Sequence, residues 1–150
     1  MSNLRPLSEL TERLQTISKS KHGDSYATGS EFRDEYGIAG QPLDEQPNKD
    51  IALAGGDVGN AYSKVYSVYM MAKNANANAK NEFKKKGKDE QSLNTQVLVG
   101  NLEYAVEHLA NAEEKLSRHD VPVADELAEI REQLDAHRER IDETGMVVVE

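Results

Sequence analysis

Val123, Leu127, Ile130, Leu134, His137 and Ile141 follow one another at spacings of 4, 3, 4, 3 and 4 residues. An α-helix brings such positions onto one face, because its 3.6-residue turn returns side chains three and four apart to the same side. Pro122 stands where the first turn of a helix tolerates proline. Asp125 and Glu126 fall where carboxylates favour the positive end of the helix dipole, and Gly145 is the expected left-handed stop. A helix over about 123–144 is therefore the firmest constraint on the fold.

A second stripe precedes it: Leu93, Val97, Ala105, Leu109, Ala112 and Leu116, widened by Leu98, Leu102 and Val106. Gly100 interrupts this pattern, and a residue so small is read as room for a neighbouring helix. The short turn from His119 to Pro122 predicts that the two helices are antiparallel neighbours. A third helix is expected from Asp57, read as its N-cap, to about Lys86. Leu7, Leu10, Leu14 and Ile17 predict a short amphipathic helix, and Ser30–Tyr36 one or two more turns before Gly37. Gly40, Pro42, Pro47, Gly55 and Gly56 punctuate the remaining N-terminal chain as extended loop. The fold class that follows is all-α. Its expected form is a three-helix antiparallel bundle (long hairpin plus C-terminal helix) at 57–145. An N-terminal helix and extended arm (1–56) and a short β-prone C-terminal tail (146–150) flank it.

Composition narrows function mainly by exclusion. The chain has 150 residues, 27 acidic against 18 basic side chains and a net charge of −9. That balance disfavours nucleic-acid binding by the surface at large. There is no cysteine, which removes disulfides, thiolate chemistry and Cys-ligated zinc. No apolar run approaches the ~20 residues of a membrane span, and the first ten residues lack the apolar core of a signal peptide. Charge is uneven, however. Residues 57–92 carry seven basic and four acidic side chains, and residues 121–150 carry three and nine. Lys80, Lys84, Lys85, Lys86 and Lys88 form the basic cluster, a candidate contact for nucleic acid or for an acidic partner surface.

Four segments carry residue types that could support chemistry. Ala54-Gly55-Gly56-Asp57-Val58-Gly59 follows an apolar run and precedes a helix, the order of a phosphate-cradling turn. Its first glycine is replaced, Asp57 would oppose a phosphate, and no parallel strands follow, so a flexible helix entry is the better reading. The positions three before His108, His119 and His137 are Ala105, Leu116 and Leu134, which excludes the Glu-x-x-His pairs of di-iron bundles. Asp125, Glu126, Glu129, Glu139 and Asp142 faintly resemble the acidic motifs of all-α nucleotide pyrophosphatases, but all fall on one helix and mainly away from its stripe. Arg131 and His137, with five residues between them, resemble the short motif of HEPN-type all-α ribonucleases. That resemblance covers two residues and implies RNA cleavage by the pair. His137 sits in the apolar stripe, where a core or interface histidine is the simpler reading. No enzyme and no cofactor is expected.

Interaction signals are better. Tyr62, Tyr66 and Tyr69 recur at i, i+4 and i+7, and tyrosine joins a large apolar ring to a hydrogen-bonding tip. Leu127, Leu134 and His137 provide a possible helix seam, and Met146, Val147, Val148 and Val149 a tail able to join a partner's sheet edge or lie across the bundle. The expected function is a non-enzymatic assembly subunit that binds protein neighbours, including copies of itself. A virion component, capsid-associated or head–tail connector, is its most concrete form. The alternatives are a cytoplasmic setting, a HEPN-like ribonuclease, or a coiled-coil regulatory or adaptor module.

Overall fold

The computed structural model describes residues 4–19, 28–42, 45–78 and 93–150. Among them are five α-helices and no strand: α1 (Leu7–Ser18), α2 (Thr28–Tyr36), α3 (Asn48–Asn78), α4 (Leu93–Ser117) and α5 (Val123–Thr144). None is long and apolar enough to cross a membrane.

The α5 stripe does what its spacing requires. Leu127, Ile130, Leu134, His137 and Ile141 are all fully buried. Gly145 ends the helix at φ 71° and donates its N–H to Ile141 O at 2.8 Å. The α4–α5 turn is closed by a pair of backbone bonds that sequence reading did not anticipate. Val121 N–H reaches Leu116 O and Asp120 N–H reaches Ser117 O, with Asp120 at φ 56°. This is a Schellman stop with aspartate where glycine is usual, and Leu116 and Val121 are both buried in the core beside it.

α3 begins at Asn48, nine residues before the expected Asp57, and passes through Gly55 and Gly56 without a break. Asn48 explains the early start. Its buried amide accepts from Ile38 N–H at 2.7 Å and donates toward the carbonyls of Ile38, Gln41 and Pro42, tying the preceding loop to the first turn. Gly55 is a packing notch rather than a hinge. A Cβ there would lie 2.5 Å from Phe32 Cβ, so glycine lets α2 press its buried phenylalanine onto α3. Gly100 behaves differently. A Cβ at Gly100 would meet nothing within 4 Å, so the expected close helix approach does not occur there.

α3 packs on α4, α4 on α5, and α1 and α2 on α3. Polar pairs between α3 and α4 with its following turn run in reverse order: Asp50 with His119 of the turn, Asp57 with His108 and Lys115, and Lys64 with Tyr104. The two helices therefore point in opposite directions. Leu7, Leu10, Leu14 and Ile17 of α1, Phe32 of α2 and Ile51 of α3 join the same apolar core as α4 and α5. The tail at 146–150 forms no strand. Val148 and Val149 instead offer their carbonyls to Leu7 and Ser8 N–H, each at 2.9 Å.

Candidate interaction groove

α1 presents Ser8, Thr11, Glu12 and Gln15 on one side, at the spacing of a single helical face. Across from them α3 presents Tyr62, Tyr66 and Tyr69, and the two rows line an open groove of about 460 Å³. The tyrosines divide the work. Tyr62 is 1% exposed and belongs to the core, while Tyr66 and Tyr69 are half-buried against it. The Tyr62 and Tyr66 rings are tilted neighbours with centroids 5.9 Å apart. Tyr69 donates its hydroxyl to Glu150 Oε1 at 3.0 Å, and Lys73 Nζ lies 5.5 Å from its ring centroid. The groove thus has an aromatic wall, a polar wall and carboxylates at its margin.

On the other flank of α1 a second groove, about 390 Å³, is lined by Glu9, Glu12, Arg13, Thr16, Ile17, Tyr36 and Glu126. Arg13 bridges to Glu126 and Glu129 at 3.4 and 3.3 Å. Burial, reinforced by the nearby Glu35 and Glu126 carboxylates, holds the Tyr36 hydroxyl above its ordinary pKa. Glu12 borders both grooves.

The other predicted residues fall elsewhere. Leu127, Leu134 and His137 are wholly inside the core, so this fold does not offer them as a surface. In the tail, Val149 is buried and Met146, Val147 and Val148 are half-buried, all on the same chain's own helices. Lys80, Lys84, Lys85, Lys86 and Lys88 lie outside the described residues.

Arg131 and His137 occupy different faces of α5. Arg131 Nε donates to Glu113 of α4 at 2.5 Å. His137 Nε2–H donates to Arg5 O at 2.6 Å, while its Nδ1 is buried without a partner. The two side chains do not converge on a reacting atom, which paired acid–base chemistry requires. Burial pushes the His137 imidazolium pKa below its usual 6.5, the Arg5 carbonyl opposing and Arg140 assisting.

The three described histidines are each held by another part of the chain. His108 and Lys115 share the Asp57 carboxylate at 2.9 and 2.8 Å, and His119 meets Asp50 at 2.8 Å with Arg118 at 3.6 Å. The seven-residue spacing of Asp50, Asp57 and Lys64 on α3 was the signal for this seam; reading Asp57 as an N-cap concealed it. Among the described residues no three His, Asp or Glu side chains are grouped to hold a metal ion. No protein-family model, curated protein or solved structure matches the chain.

Proposed function

We propose that the chain is a non-enzymatic assembly protein whose docking site is the tyrosine groove between α1 and α3. Its scaffold is an antiparallel bundle of the three long helices α3, α4 and α5, with α1 and α2 added to one flank. One observation carries the reading: Tyr66 and Tyr69 stay half-buried beside an open groove whose facing wall is polar. Aromatic anchors with a polar rim are the usual make-up of protein–protein contacts. The partners are protein subunits, including copies of the chain itself, and the concrete form is a capsid-associated or head–tail connector subunit of a virion.

Sedimentation velocity over a hundredfold range of protein concentration tests the proposal. Wild type is expected to associate as concentration rises, and Tyr66→Ser to remain monomeric with unchanged helicity. A wild-type protein that stays monomeric throughout contradicts the reading.

A further inference from the structure

Charge around α1 is unbalanced. Glu12 lines the tyrosine groove and Glu150 is held at its end by Tyr69, while Glu9 and Glu126 line the second groove on the other flank and Glu129 pairs there with Arg13. Arg5, Arg13 and Lys73 are the nearby cations, pairing with Glu9, with Glu126 and Glu129, and with the Tyr69 ring. Glu12, on the shared border of the grooves, forms no ion pair among the described residues. With Glu12 on its polar wall and Glu150 at its end, the tyrosine groove fits an occupant that brings ammonium groups. The chain also puts lysine on tyrosine faces twice already: Lys64 Nζ is 5.0 Å from the Tyr104 centroid and Lys73 Nζ 5.5 Å from that of Tyr69. A tyrosine face attracts such a cation through its negative quadrupole.

The same chain contains a match. Five of the 14 residues between Asn78 and Leu93 are lysines, with Phe83 among them. We propose that the lysine-rich segment 80–88 of a second copy occupies the tyrosine groove, making a head-to-tail contact. This rests on the groove being the docking site and adds the identity of what docks.

A second copy suits the geometry better than the chain's own segment. Tyr66 lies 12 residues before Asn78, about 18 Å back along α3. Tyr66 is also turned away from the α4-facing line of Asp50, Asp57 and Lys64. Reaching it in cis and returning to Leu93 would take about 36 Å of an extended length of roughly 50 Å, leaving too little chain to lay the lysines along the groove. A neighbour meets no such limit. Because the contact joins two different surfaces, it propagates into a ring or a filament instead of closing as a two-fold dimer.

The test is sedimentation velocity of the full chain at low and high salt, with far-UV circular dichroism confirming that each variant is folded. Association should weaken by about tenfold or more as salt screens the contact. The set Lys84→Glu, Lys85→Glu and Lys86→Glu should lose association, its Lys→Gln counterpart should lose less, and adding Glu12→Lys to the glutamate set should restore part of it. A synthetic peptide of residues 79–92 should compete with wild-type association. If Tyr66→Ser abolishes association while the lysine variants associate like wild type, the groove stands and the lysine occupant is overturned. If the lysine substitutions alter the groove in a protein that is monomeric at every concentration, the second-copy contact is overturned. If neither Tyr66→Ser nor the lysine variants alter association, both the occupant and the groove reading fail.

Discussion

Gly55 and Gly100 occupy the middle of helices, yet their surroundings are opposite. Gly55 lies under Phe32, and an added methyl would collide with that side chain. Gly55→Ala is expected to destabilise by about 1–3 kcal/mol through forced repacking. Gly100 faces open space, so Gly100→Ala should stabilise by roughly 0.5–1 kcal/mol, as helix propensity and unfolded-chain entropy dictate. Urea denaturation of both variants measures the contrast; equal effects would contradict it. In the sequence Gly100 interrupts a helical pattern and Gly55 reads as loop; that Gly55 lies against a neighbour is not visible there, because it depends on Phe32, more than twenty positions away.

His137 adds a pH dependence at the same scale. Its folded pKa lies below 6.5, so the unfolded chain takes up the proton first as acid is added. Stability is full above about 6.5 and falls as pH drops toward the lowered folded value. Asp50 has its folded pKa below 3.8, chiefly through the His119 hydrogen bond, so its contribution is lost in a separate, more acidic window. Denaturation midpoints across pH should show both losses, and His137→Gln should remove only the one nearer neutrality. An unchanged profile in that variant would contradict the assignment.

At the scale of elements, α1 depends on the far end of the chain. Its N-cap position is Pro6 and makes no side-chain cap. The Val148 and Val149 carbonyls satisfy its first two amides, and Gln133 and His137 hold Arg5 just before them. Removing residues 146–150 should cost about 1–3 kcal/mol in lost caps and Val149 burial. Amide exchange should rise first at Leu7 and Ser8, with α4 and α5 little changed; equal loosening of all helices would contradict a local cap. The tail's apolar character was legible in its sequence. Its destination was not, since a valine run next to the first turn of a helix more than 130 residues away leaves no local pattern. By contrast α5, whose stripe, first-turn acids and glycine stop are local, could be read almost to the residue. α3 was read as starting nine residues late because its start is organised by Asn48 bonding a loop, and because Gly55 and Gly56 resemble a break when the packing of Phe32 is not in view; its expected end near Lys86 lies outside the described residues.

The whole molecule has a lean, acidic composition and a core that gathers all five helices. Three of its candidate interface positions, Leu127, Leu134 and His137, proved to be interior, since one stripe pattern serves a core and a partner seam equally well. The tyrosine pattern was legible, but its facing wall on α1 was not, because no sequence spacing relates Glu12 to Tyr66. The central claim is that this wall and these rings become covered when copies associate. Hydroxyl-radical footprinting of the full chain at low and high concentration reads that coverage directly. Tyr66 and Tyr69 should become protected at high concentration, with Tyr104 on the α4 side unchanged. Equal labelling of Tyr66 and Tyr69 at both concentrations, in a protein that has associated, would contradict the account.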